Sequence, residues 1–291
     1  MTVMLLTLLL FGGGLLFWIG LWSGRQVLRL GGGSLLVVPF VAMVGNESIE
    51  PVILPVLAGI VVLAWALKTN RCPTRVSRVA AGVAYLLIVL ALGFHQFPGL
   101  TPFPLLEVGG KLFPFPPEKL ILLGIVPPVV LAPLVADRWR WGSERPGRTF
   151  ARLLPATLLV LIPLALLLDH ARLNWTNAPI PVLAYQLAYN FLFVCVLEES
   201  FFRGIVQTAL IRWVRHWDGS RAEGLGLLIA SVLFGAIHAG GGGAFVLLAT
   251  LAGFGYGLVY LLTGRIYYAV FLHFAVNTVH QIAFAPLPTA A

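Results

Sequence analysis

The residues able to do chemistry sit in the last third of the chain. They begin with the stretch L-E-E-S-F-F-R-G from Leu197 to Gly204, where two carboxylates and a guanidinium follow directly on an apolar run. An ionisable side chain within hydrocarbon costs about 2.5 to 3.5 kcal/mol on insertion scales, so such groups tend to be paired, inward-facing and functional. On a helix, Glu199 and Arg203 stand four apart with the acid first, the favoured order for an ion pair on one face. Glu198 lies about 100° further round and cannot use that arginine in the same way. One carboxylate held by an arginine beside a second left free is an arrangement suited to acid/base chemistry. Two later apolar segments carry further polar groups: L-F-G-A-I-H, with Phe234 and His238 four apart, and H-F-A-V-N, with His273 and Asn277 four apart. Each pair shares a helical face. A lone histidine on an apolar face is more often a satisfied core residue than a catalyst, but three helices that all offer such groups point to one shared site.

The elements that must position these groups are membrane helices. The chain has 291 residues, 59% of them hydrophobic and only 10% charged, with a mean hydropathy of +0.94. A water-soluble globule would carry roughly 25% charged residues. The composition therefore predicts an all-α, polytopic integral membrane helix bundle of about 8 to 10 transmembrane helices. Apolar segments run from Val3 to Trp22, Gly31 to Gly45, Pro51 to Leu67, Val79 to Phe94, Leu120 to Ala136, Leu153 to Leu168, Pro181 to Leu197, Leu225 to Ala239, Ala244 to Thr263 and Ile266 to Ala285. The second is the weakest, being short and glycine-rich. The first is an uncleaved anchor by pattern, since Arg25 and Arg29 follow its core rather than precede it.

A net charge of +8 reports topology in such a chain rather than binding to nucleic acid. Threaded alternately with the N-terminus outside, the segments leave 16 basic residues on inner loops and 3 (Lys111, Lys119 and Arg172) on outer ones. This predicts a multi-pass membrane protein with the Glu198 region at the cytoplasmic end of its helix; the localisation expected is a bacterial inner membrane. The outer loop from Phe94 to Glu118, rich in proline and aromatics, predicts a non-helical segment at the interface, with His95 solvated or capping. Cys72 and Cys195 show neither metal nor disulfide spacing and read as structural. With no internal repeat and no long linker, the expectation is one membrane domain over 1–291, with N-terminal helices in 1–180 and a catalytic core in 181–285.

The ordered set E-E-x-x-x-R at Glu198, Glu199 and Arg203, F-x-x-x-H at Phe234 and His238, and H-x-x-x-N at His273 and Asn277 resembles the three motifs of the CAAX prenyl endopeptidase and bacteriocin-processing family (CPBP, also called Abi) of glutamic intramembrane proteases. The resemblance covers about Pro181 to Ala285. It implies an endopeptidase for membrane-tethered peptides or protein C-termini, without cofactor or metal, whose partners are that peptide substrate and the lipid bilayer. It further implies that Glu198 with His238 activates a water, that Glu199 with Arg203 orients the site, and that His273 with Asn277 forms the oxyanion hole. Such donors in a water-poor site stabilise an oxyanion by about 2.7 to 4 kcal/mol each. Phe234 reads as packing that excludes water, and His280, on the face of His273, as supporting structure. Two alternatives stay open. One is a zinc metalloprotease built on Glu198, His238 and His273, although the H-E-x-x-H helix is missing. The other is a non-catalytic scaffold or immunity protein in which Glu199 and Arg203 only staple helices. Transport is weaker, because the polar groups cluster instead of forming a path across the membrane.

Overall fold

The computed structural model describes residues 3–69, 71–108, 111–131, 145–219 and 221–286. Arg138 and Arg140, counted above among the inner-loop arginines, lie outside the described residues, as does the 132–136 end of the fifth apolar segment. The chain falls into two compact units, Met1–Pro133 and Leu134–Ala291. Within hydrocarbon a backbone must satisfy its own hydrogen bonds, which leaves the helix as the solution for each apolar stretch. Ten helices result among the described residues, and six of them are long and apolar enough to cross a membrane. The protein is a multi-pass integral membrane protein.

The first unit holds α1 (Val3–Ser23), α2 (Gln26–Gly45), α3 (Leu54–Lys68), α4 (Arg75–Gly93) and α5 (Pro117–Leu131). The glycines that made α2 look weak have a packing reason. A Cβ at Gly32 would collide with the backbone nitrogen of Phe17, so the close approach of α1 and α2 requires the bare backbone. A capping box between Thr74 and Ser77 starts α4. The proline-rich stretch between α4 and α5 holds two paired antiparallel strands, β1 (Phe103–Val108) and β2 (Lys111–Phe115). His95 precedes it, half-exposed, with Nδ1 3.3 Å from Glu118 Oε1 at the start of α5.

The second unit is built from α6 (Pro146–Leu167), α7 (Ile180–Arg215), α8 (Ala222–Ala236), α9 (Gly242–Thr263) and α10 (Ile266–Ala283). A short antiparallel pair, β3 (Ala171–Leu173) with β4 (Phe284–Pro286), joins the chain after α6 to the chain after α10. Helix α9 packs on α6, α8 and α10, and ends in a left-handed Gly264 whose N–H returns to the Tyr260 carbonyl.

Helix α7 departs most from expectation. The apolar run ends at Leu197, but the helix continues to Arg215, so Glu198 stands mid-helix rather than at a cytoplasmic end. Hydropathy drops at the charged residues, yet the backbone stays helical, and Glu199 and Arg203 are buried there as an ion pair. On either side of a short α-helical turn, Val196–Glu199, the helix widens into π geometry over Asn190–Cys195 and Ser200–Gln207. The Thr208 hydroxyl donates to the Arg203 carbonyl, five residues back, at 2.8 Å. Such π segments are rare and are found disproportionately at functional sites.

Candidate active site

A cavity of about 620 Å³ opens in the second unit between all five helices. Its walls are mostly aliphatic and aromatic, from Leu158, Leu161 and Ile162 of α6 to Leu248 and Ala252 of α9. Among them stand Glu198 and Asn190 from α7, Phe234 from α8 with His238 just beyond it, and His273 and Asn277 from α10. A largely apolar cavity with a few convergent polar groups is the usual form of a ligand site.

Glu199 does not line the cavity. It is fully buried behind it, and both of its oxygens are used: Oε2 accepts from Arg203 Nε at 2.8 Å and Oε1 pairs with His273 Nδ1 at 2.8 Å. An ionised carboxylate can only accept, so Nδ1 carries the proton in this bond and the ring's second nitrogen, Nε2, is the one left for other work. The imidazole of His273 is also stacked on Tyr256, with centroids 4.5 Å apart and planes 14° apart. Arg203 is fully buried too. Its Nη1 reaches Gln207 Oε1 at 3.4 Å, Gln207 Nε2 donates to the Gly257 carbonyl at 3.1 Å, and the guanidinium lies 5.3 Å from the centre of the Phe234 ring. The pairing of Glu199 with Arg203 read from their spacing is present. The same carboxylate also fixes the His273 ring, which brings α7 and α10 together at one point.

Glu198 lines the cavity, and its Oε2 is buried with no hydrogen-bond partner among the described residues. His238 is half-buried, and its Nδ1 donates to the carbonyl of Phe234, four residues earlier, at 2.7 Å. That bond fixes the tautomer, leaving Nε2 as an acceptor. Phe234 therefore acts in two ways: its ring packs against His238, His273 and Tyr256, and its backbone oxygen sets the His238 ring.

Asn277 shares a helix face with His273 but has other partners. Its Nδ2 donates to Asn190 Oδ1 at 2.9 Å and lies 3.9 Å from Cys195 Sγ. Asn190 Nδ2 is buried without a partner among the described residues. Reading the sequence for motifs missed Asn190, Gln207 and Tyr256. The first two were open to the same reasoning that singled out Glu198, being amides within an apolar helix. His280 also lines the cavity, near its rim. Among the described residues no three His, Cys, Asp or Glu side chains converge as a metal site requires, which includes the Glu198, His238 and His273 set of the zinc alternative.

The family model described as type II CAAX prenyl endopeptidase Rce1-like matches residues 179–279, a span that holds all seven motif residues. No curated protein and no solved structure matches the chain. The matched stretch runs from α7 into α10 and carries the polar groups of the cavity, and the match supports the likeness to CAAX endopeptidases read from the motifs.

Proposed function

We propose that the protein is an intramembrane endopeptidase that cleaves membrane-tethered peptides or protein C-termini with a water activated by Glu198 and His238, without a metal. The observation that carries this reading is the division of labour between the two neighbouring glutamates. Glu199 has both oxygens committed to Arg203 and His273, whereas Glu198 lines a substrate-sized cavity and holds a buried Oε2 that no protein group engages among the described residues. A water held by Glu198 and by Nε2 of His238 gives its proton to the carboxylate as its oxygen attacks the scissile carbonyl carbon. The carbonyl π electrons move onto oxygen, and the resulting oxyanion is met by donors from α10. Asn277 offers an amide N–H. For His273 to donate as well, Nε2 must be protonated while Nδ1 remains on Glu199. When the intermediate collapses, the C–N bond breaks and Glu198 returns the proton to the leaving amine. Glu199 and Arg203 touch no substrate in this scheme; they hold the His273 ring. The apolar walls exclude bulk water, which strengthens each of these electrostatic contacts.

The test is Glu198→Gln, which removes the base and keeps the shape. Purified variant protein should lose cleavage of a membrane-anchored peptide while its thermal unfolding in detergent matches that of the parent. Residual activity above a few per cent would remove Glu198 from the role of base.

A further inference from the structure

The cavity lies at one end of the second unit, and the basic residues lie at the other. Arg145, Arg148 and Arg152 stand at the start of α6, Arg212 and Arg215 in the last turn of α7, Arg221 before α8, and Arg265 in the turn between α9 and α10. The five helices run up and down, so all these residues mark a single end. Among the described residues of the unit, Arg172 of β3 is the one arginine or lysine at the opposite end.

The residues around the cavity occupy the half away from that basic end. On α6 they begin at Leu158, about 18 Å along the axis from Pro146 at 1.5 Å per residue, and on α8 Phe234 is about 18 Å from Ala222. Glu198 stands more than about 20 Å from Arg215 along α7. Beyond the helix ends the cavity reaches Ala171 and Phe284, which belong to the β3–β4 pair. Toward the basic end it meets a packed floor. That floor comprises the Glu199–Arg203–Gln207 chain, the Thr208 hydroxyl 3.2 Å from the Tyr260 hydroxyl, and the buried side chains of Ile211, Leu227, Val259 and Leu261.

Arginine-rich loops stay on the cytoplasmic side of a membrane, and they set orientation. We infer that the cavity opens on the face opposite the cytoplasm, and that its substrate is a peptide segment of an exported, membrane-tethered protein presented from that face. The cytoplasmic orientation expected from the sequence rested on Glu198 ending its helix, and Glu198 is mid-helix. This inference rests on the proposed proteolytic role for its substrate class but not for its geometry. A tail made and modified in the cytoplasm would meet the basic end, where buried side chains close the way in.

The experiment is accessibility labelling in sealed cells that express the full chain. In a Cys72→Ser background, whose remaining native thiol Cys195 is fully buried, single cysteines are placed at Asn174 beside β3, and at Trp217 beyond α7, both exposed positions. A membrane-impermeant maleimide added outside should label Asn174→Cys and spare Trp217→Cys, and permeabilisation should expose both. Labelling of Trp217→Cys in sealed cells, alone or together with Asn174→Cys, would overturn the inference. Because no cleavage is read, a parent protein that fails to cleave the anchored peptide but shows the expected labelling would refute the proteolytic reading alone. Active protein with reversed labelling would refute this orientation alone.

Discussion

Replacing Glu199 by glutamine should unfold the site as well as inactivate it. The Glu199 carboxylate accepts two bonds of 2.8 Å, from Arg203 Nε and from His273 Nδ1, inside a region with no solvent exposure at Glu199 or Arg203. A glutamine has one acceptor oxygen. If that oxygen stays on Arg203, the new NH₂ faces the proton on His273 Nδ1, which must then move to Nε2. If it turns to His273, the NH₂ faces the guanidinium. In both cases the buried arginine loses its counter-charge, since Glu199 is the carboxylate within ion-pair reach among the described residues. Removing one member of a buried pair typically costs about 3 to 5 kcal/mol, and at 1.4 kcal/mol per decade that lowers the folding equilibrium constant by roughly two to three and a half decades. The assay is reversible unfolding in mixed micelles, read by tryptophan fluorescence, for Glu199→Gln, Arg203→Met and the double variant. The double variant should be more stable than Glu199→Gln alone, because it carries no stranded charge. A loss below about 1 kcal/mol in the single variant, or strict additivity in the cycle, would refute the view that this pair is a buried structural unit.

Asn190→Ala should lower kcat by up to about tenfold, the worth of one neutral hydrogen bond, by releasing Asn277; an unchanged kcat would show that Asn277 is positioned without it. Gly257→Ala places a Cβ 2.5 Å from Leu227 Cδ1 and 2.7 Å from Gln207 Oε1, so overpacking should cost about 1 to 3 kcal/mol, and an unchanged unfolding midpoint would contradict the tight seat of Gln207 on α9. For the metal question, purified protein should hold less than stoichiometric zinc by elemental analysis and keep its activity in chelator. One zinc per chain that disappears in both His238→Ala and His273→Ala would establish the zinc alternative.

The helices and the motif pairs were legible because both rest on local spacing. The ten apolar runs became ten helices, and the four-residue spacing of Glu199 with Arg203 and of Phe234 with His238 became direct contacts. What connects different helices was not legible. His273 and Asn277 share a face, yet the first is bound to Glu199, 74 positions away, and the second to Asn190, 87 positions away. No one-dimensional period encodes such partners. Glu198 was expected at the end of its span because hydropathy falls there, whereas the helix runs on to Arg215 and leaves it mid-helix. The paired strands β1 and β2 and the three-residue strands β3 and β4 are too short to give a periodic signal, and β3 pairs with a segment more than a hundred residues away.

The π geometry on both sides of the two glutamates gives α7 a reserve of length. Each widened turn holds about one residue more than an α-helical turn would, so deleting one residue between Asn190 and Cys195 would let the backbone relax to α-helix while the segments on either side keep nearly the same angular relation. The same deletion in an unbroken α-helix would rotate one side by about 100° relative to the other. What the deletion would change in α7 is the bulge itself, and Asn190, which now lines the cavity with Glu198, would be drawn into a regular turn. A one-residue gap there in a related sequence would therefore signal a lost bulge, with the helix beyond it still facing as it does here.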